Sequence, residues 1–301
     1  MRCRVCGRLI KPDKAVQDRL GKRLTATRRE DLVYRCRCGA SYSNAAKEEE
    51  RVLIAASPEE NVPKQVRSGL SEALAQALNR RNRRNKAFRF CSENSEDAVT
   101  WTVFRGLERA GRLDALVAPR RPGGEAALLV WGAPVAGARA PEVAQALARV
   151  CDSFGESENA RTELDAIVSW PELTVLVEAK YRGENEQRPN DPSFERYLDR
   201  RHLYAAPPEE VAQAGYYELT RNWRLGNALA EALGARAFLL VNLGPAEKIE
   251  TDAFAFSNLI TRSPQREFTT LSWSDLLEAA APLEPWLDRY ASDRDRLLYW
   301  R

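Results

Sequence analysis

The sequence predicts an α/β domain with a small cysteine-bearing module in front of it, and three observations carry that expectation. Two short-spaced cysteine pairs, Cys3-x2-Cys6 and Cys36-x-Cys38, lie within the first 38 residues of a 301-residue chain. Between Thr162 and Tyr181 the stretch TELDAIVSWPELTVLVEAKY reads as two strands of alternating or continuous apolar character joined by a short link. Helical spacings flank that pair on both sides, and a further buried strand, ARAFLLVNLG, follows.

The cysteines come first in the chain. The opening residues, MRCRVCGRLI, hold charges where a secretory leader needs an apolar run, and no apolar stretch of about 18 residues occurs. A cytoplasmic, membrane-free location is therefore expected, and in such a compartment short-spaced cysteine pairs are metal ligands more often than disulfides. Each pair precedes a glycine, Gly7 or Gly39, as a tight knuckle requires. Cys3, Cys6, Cys36 and Cys38 are thus expected to hold Zn²⁺ in a ribbon-like module over residues 1–50. The single residue between Cys36 and Cys38 leaves free or redox-active thiols as the alternative. Cys91 and Cys151 have no neighbour at metal spacing and read as buried thiols.

Charge divides the chain unevenly. Residues 1–90 carry 22 Lys and Arg against 10 Asp and Glu, whereas the remainder carries 24 against 33. A basic front attracts a phosphate backbone, and an acidic remainder repels one unless its carboxylates gather metal ions; an unevenly charged solvated surface is the plainer alternative. Residues 51–91 form a connector. Helical apolar spacing through Val66, Leu70, Leu74, Ala77 and Leu78 runs into NRRNRRNKAFRF, where Arg80, Arg81, Arg83, Arg84 and Lys86 are the candidates for nucleic-acid contact.

The third segment, residues 92–301, begins with Ser92 or Ser95 capping a helix whose core positions are Ala98, Val99, Val103, Phe104 and Leu107. Glu93 and Glu96 fall at its start, where carboxylates stabilise the helix dipole even without another role. ALLVWG then reads as a strand and PEVAQALARVCDSF as a helix in an inserted excursion. After the charged strand pair, 189–208 reads as a long loop containing His202, a solvent or substrate contact. EEVAQAGYYELTRNWRLGNALAEALG reads as one helix ending at Gly234, and the tail adds a strand, EFTTLSW, and a helix. The main order is helix, three strands, helix, strand.

Asp165, Glu178 and Lys180 stand in the two central strands. Burying a carboxylate or an ammonium is costly unless a partner charge, a metal or hydrogen bonds replace its hydration. Pairing the strands back from their link brings Asp165 near Glu178 and Lys180, so the three charges can converge and build a metal site.

That order, with Asp165 on the second strand and Glu178-x-Lys180 on the third, resembles the PD-(D/E)xK nuclease superfamily, with its restriction-endonuclease-like αβββαβ core. SENSEDAVTWTVFRGL, TELD, VEAKY and the segment from Tyr216 to Leu243 resemble in particular a bacterial restriction-endonuclease-like group, over about Ser92 to Ala279; Leu164 stands where the superfamily's name has a proline. The resemblance implies that Asp165 and Glu178 bind Mg²⁺ or Mn²⁺. Lys180, its pKa drawn down by burial and the ion, would position and activate water, and Glu96 would be an additional ligand, with Glu93 a secondary candidate. Gln213 and Tyr217 match the glutamine-x-x-x-tyrosine pattern of RecB-type relatives and are expected one turn apart on one helix facing the strands. The implied function is metal-dependent cleavage of phosphodiester bonds, DNA before RNA, in restriction or defence, by a chain that can act as a homodimer. A non-catalytic nucleic-acid-binding adaptor with the same scaffold is the alternative of a different class.

Overall fold

The computed structural model describes residues 1–21, 26, 28–159, 161–181 and 183–298. Its front module holds a short helix α1 (Lys14–Leu20) and a three-stranded antiparallel sheet of β1 (Tyr34–Arg35), β2 (Ser41–Tyr42) and β3 (Leu53–Ile54). Helix α1 is capped by Asp13, whose side chain accepts from the Val16 amide. It lies in the basic stretch between the two cysteine pairs.

The connector breaks into two pieces. Helices α2 (Leu70–Gln76) and α3 (Arg83–Phe90) are separated by a bend in which the Leu78 amide donates to the Trp131 carbonyl and the Asn79 amide to the Glu163 carboxylate. Continuous helical spacing through Leu78 therefore overstates the helix. Tertiary contacts to the following domain capture those backbone groups instead. Leu78 itself packs on Gly132, where a Cβ would lie 2.3 Å from its Cδ1.

The α/β domain follows in chain order as α4 (Glu96–Arg109), β4 (Ala127–Val130), β5 (Ala133–Ala136), α5 (Ala140–Ser153), β6 (Ala166–Ser169), β7 (Leu173–Ala179), α6 (Pro208–Ala214), α7 (Tyr217–Leu233), β8 (Ala237–Gly244), α8 (Ala246–Ser257), β9 (Arg266–Ser272), α9 (Trp273–Ala279) and α10 (Pro285–Leu298). Its six strands lie in the order β5-β4-β6-β7-β8-β9. The β4, β5, β6 and β7 pairings are antiparallel, whereas β7 with β8 and β8 with β9 are parallel. The two parallel links contain α7 and α8, as crossover connections require. The edge strand β5 and the helix α8 had no counterpart in the sequence reading, while α5 is the excursion helix expected there.

Successive strand residues feed two cores. Val175, Val177 and Ala179 pack with α4 and α9 on one face, and Ile167, Leu176 and Leu240 pack with α5 and α7 on the other. Both faces are covered, which is why the central strands read as nearly continuous apolar runs rather than a clean alternation. At β6 the alternation breaks. Leu164 joins the second core while Ala166 and Val168 join the first, so regular strand starts at Ala166 and Asp165 stands at its mouth.

Helix α7 lies close against the sheet because Gly226 leaves room for it. A Cβ there would come 2.2 Å from the buried Phe238 ring and 3.0 Å from Leu176 Cδ2. Replacing a helical glycine by alanine gains roughly 0.5–1 kcal/mol in propensity. Overpacking costs about 1–3 kcal/mol, and a β-branched side chain forfeits most of the propensity gain. Gly226→Val is therefore expected to destabilise the domain by about 1–3 kcal/mol in urea unfolding; unchanged stability would show that the α7 contact is looser than described.

Candidate functional site

The four front cysteines converge. All their sulfurs lie within 4.8 Å of one another, with Cys3 and Cys38 3.7 Å apart and Cys6 and Cys36 3.5 Å apart. Zn–S bonds of about 2.3 Å in a tetrahedron put sulfurs about 3.8 Å apart, so this group could hold a metal ion such as zinc. The knuckles are built by local backbone bonds: the Gly7 amide donates to the Cys3 carbonyl and the Gly39 amide to the Cys36 carbonyl, with both glycines at positive φ. Among the described residues this is the one group of three or more His, Cys, Asp or Glu whose ligand atoms approach so closely.

The second site stands at the carboxyl end of β7. The register pairs Ala166 with Val177, which places Asp165 opposite Glu178. Asp165 Oδ2 accepts from the Ala179 amide at 2.7 Å. Lys180, one residue beyond the strand, is fixed through its main chain: its amide donates to the Leu243 carbonyl, and its carbonyl accepts from Trp273 Nε1 at 2.9 Å. Its Nζ donates to Glu178 Oε1 at 2.6 Å and to Glu218 Oε2 at 2.8 Å. The other Glu178 oxygen accepts from Asn222 Nδ2 at 2.7 Å. From the opposite helical layer, Glu96 accepts from the Tyr181 amide at 2.8 Å.

Two helix N-termini meet this cluster. Ser95 caps α4, accepting from the Ala98 amide at 3.1 Å, and so delivers Glu96 as the first helical residue. The left-handed Gly215 separates α6 from α7 and delivers Glu218 in the first turn of α7. Both helix ends present partial positive charge to carboxylates.

The electrostatics divide the carboxyl groups. Burial, followed by repulsion from Glu178 and Glu96, pushes the Asp165 carboxyl well up. Burial likewise raises Glu96, to about 7, against the attraction of Lys180. Burial also works against ionised Glu178, but Lys180 and Arg221 with the Lys180 and Asn222 hydrogen bonds outweigh it, and its pKa is lowered. Lys180 differs from the sequence expectation of a depressed ammonium. Burial does oppose its charge, yet Glu178, Glu218, Asp165 and Glu96 together raise its pKa. In this surrounding it is an ammonium that donates and orients.

A cleft of about 510 Å³ opens over Asp165, Glu178, Lys180 and Glu96. Lys86 also lines it, and its role differs from the phosphate contact expected of it. It is only 5 % exposed, donates to Asp97 Oδ1 at 2.7 Å, lies 3.2 Å from Glu163 Oε2, and sits 4.8 Å above the Trp131 ring. Its stem anchors α3 to the strand pair. Of the other basic candidates, exposed Arg80 pairs with Glu158, and Arg83 donates to the Ala77 carbonyl at 2.7 Å; Arg81 and Arg84 face solvent.

Two further expectations fail on geometry. Gln213 and Tyr217 do not share a helix: α6 ends at Ala214, Gly215 turns the chain, and Gln213 is exposed while Tyr217 lines the cleft. Glu93 lies outside the cleft and ties the front module to the domain, accepting from Arg4 Nη2 at 2.6 Å and from the Leu53 amide at 2.9 Å. Conversely, Glu218, Asn222 and Glu163 were not singled out in the sequence. Glu218 and Asn222 share one face of a helix at i, i+4, a spacing that would have marked them once the helix was known to cross β7.

No family model, curated protein or solved structure matches the chain. Among the described residues, no helix is long and apolar enough to cross a membrane.

Two measurements follow from this geometry. Metal analysis of the purified protein is expected to return one zinc per chain, lost in Cys6→Ser; protein that contains no zinc and takes none up would leave the cysteines as free thiols. For the carboxyls, a raised folded pKa means that the folded chain binds more protons than the unfolded one between about pH 4.5 and pH 7. With divalent ions chelated, Glu96 is therefore expected to make stability fall as pH rises through that window, by up to about 1.4 kcal/mol per pH unit for one proton. Glu96→Gln should flatten the slope of unfolding free energy against pH; an unchanged slope would assign it to other groups.

Proposed function

We propose that the chain is a metal-dependent nuclease that hydrolyses phosphodiester bonds in DNA. The observation that carries this reading is the convergence of Asp165, Glu178 and Lys180 at one strand end, with Glu96 beside them and a cleft above. The order α4, β4, β6, β7, α7, β8 supports a restriction-endonuclease-like core in which β5 and α5 are an insertion between the first and second core strands.

The donor set fits a hard divalent cation. Asp165 and Glu178 offer carboxylate oxygens, and Mg²⁺ is commonly bound by one or two carboxylates with water and substrate phosphate completing the shell. Burial, with repulsion from Glu178 and Glu96, pushes the Asp165 carboxyl up, and a cation between the carboxylates would favour its ionised form. Asp165 and Glu178 would hold Mg²⁺ or Mn²⁺, with Glu96 as a supplementary ligand. When bound, the ion polarises the phosphate and lowers the pKa of water.

The chain's own groups do the rest. Lys180 stays protonated between Glu178 and Glu218, so its Nζ orients a nucleophilic water and offsets charge developing on the phosphoryl oxygens. Glu218 and Asn222 hold Lys180 and Glu178 in place from α7. The front module, folded round the four cysteines, would add a nucleic-acid contact outside the cleft.

The test is cleavage of supercoiled plasmid, single-stranded DNA and RNA with Mg²⁺, Mn²⁺ or EDTA. Asp165→Ala and Lys180→Ala are expected to abolish metal-dependent cutting while leaving the unfolding transition and nucleic-acid binding in place. Glu218→Gln should slow cutting about 10-fold or more, since it loosens the lysine without removing it. Nucleic-acid binding with no cutting under any condition would favour an adaptor, and cutting confined to RNA would reassign the substrate.

A further inference from the structure

Five arginines line the cleft, and they differ in what they already bind. Arg161 pairs with Asp152 at 2.5 Å and Arg188 with Glu186 at 2.6 Å. Arg89, Arg196 and Arg221 have no carboxylate within ion-pair distance among the described residues; Arg89 and Arg221 reach only the side-chain oxygens of Asn82 and Asn222. Three guanidinium groups thus face an opening whose floor is acidic.

The walls come from three places, one of them α7 with Arg221. Arg89 belongs to α3, which Lys86 pins to the strand pair, and Arg196 belongs to the segment between β7 and α6. That segment is braced, since Tyr197 donates to Glu156 at 2.7 Å, Tyr204 donates to the Tyr197 carbonyl, and Arg224 makes two bonds to Asp199. At the cleft edge two guanidinium groups lie near the Tyr217 ring, Arg188 at 5.7 Å and Arg221 at 5.6 Å from its centre. Aromatic faces beside arginines, along a groove that tracks phosphates, are how proteins hold single strands.

Resting on the nuclease reading of the same cleft, we propose that it receives one strand of nucleic acid, with Arg89, Arg196 and Arg221 on successive phosphates and Tyr217 stacked on a base. The carboxylates lie on the floor between the walls. The volume matches a small-ligand site and has room for about one or two nucleotides. Glu178, only 3 % exposed, lies on the cleft floor, which a rigid duplex with its phosphates on a convex surface approaches less readily than a single strand does. A flexible single strand can descend between the walls, and the exposed Arg81 and Arg84 lie off this path.

The test is binding without catalysis. Fluorescence anisotropy in EDTA would compare a labelled single strand of about 12 nucleotides with the same sequence as a duplex. The wild-type chain should bind the single strand about 10-fold more tightly or better. Arg89→Ala with Arg196→Ala, both exposed positions, should weaken single-strand binding about 10-fold or more and lower the salt slope by about 1.4, roughly 0.7 per phosphate. Tyr217→Leu should weaken it with the slope unchanged, and Arg81→Ala with Arg84→Ala should leave it within about 2-fold. Equal or tighter duplex binding, or a loss that follows Arg81 and Arg84, would overturn the proposal. The nuclease reading fails separately: single-strand binding as described without any cutting would sink that reading alone, and Lys180-dependent cutting of duplex without strand preference would sink this one alone.

Discussion

Everything at the candidate site depends on one constraint: carboxylates placed at the end of strands in a sheet that is covered on both faces. Glu178 follows Leu176 on the α7 side of β7, in a layer otherwise filled by Ile167, Leu240 and Trp223. Water cannot solvate it there, so protein groups must. Lys180 supplies the charge, Asn222 an amide, and the N-termini of α4 and α7 partial positive charge. Lys180 donates to two glutamates, while burial and repulsion from Glu178 and Glu96 push the Asp165 carboxyl up. Carboxyl groups therefore outnumber the lysine at this strand end, and the proposed cation site rests on that excess.

A second lysine solves a similar problem one layer away. Lys86 is at least as buried as Lys180 and lies between Asp97, beside Glu96, and Glu163, two residues before Asp165. Its two ion pairs replace lost hydration, and removing Lys86 would leave the Asp97 and Glu163 carboxylates without their shared cation. The consequence is positional. Helix α3 is tethered at the cleft by its one buried cation, so Arg89 on the same helix faces the cleft while Arg84 faces solvent. The front module is attached at the same loop: the Glu93 carboxylate takes hydrogen bonds from Arg4, beside Cys3, and from the Leu53 amide of β3, two residues before the cap that presents Glu96.

Much of this was legible in the sequence because it rests on local rules. Strand pairing read from the short Pro171–Leu173 link placed Asp165 against Glu178, and the register agrees. The Ser95 cap and the glycine-following cysteine knuckles were also local signals. What failed was long-range. The spacing from Val66 to Leu78 has helical periodicity, but the backbone beyond Ala77 bonds to Trp131 and Glu163 instead of to itself. Gln213 and Tyr217 have the right spacing for one helix, yet Gly215 ends one helix and starts another. Lys86 sits in a run of exposed arginines and differs from them only in what lies beneath it. No sequence pattern separates one buried cation from its exposed neighbours; only the positions of Asp97 and Glu163 in the fold do so.

The same contrast orders the cationic surface. A run such as NRRNRRNK draws attention by density, but density measures only how many charges are nearby in sequence. Arg80 is already paired with Glu158, Arg83 donates to a carbonyl, and Lys86 is buried, which leaves Arg81 and Arg84 for solvent. Arg196 and Arg221 lie 25 residues apart in sequence, yet they face one cleft over one acidic floor, with no carboxylate in ion-pair reach among the described residues. Phosphate binding strengthens with charges that are close together and still free to donate. By that measure the proposed polyanion path follows the walls built on α3, the segment after β7 and α7, above the carboxylates.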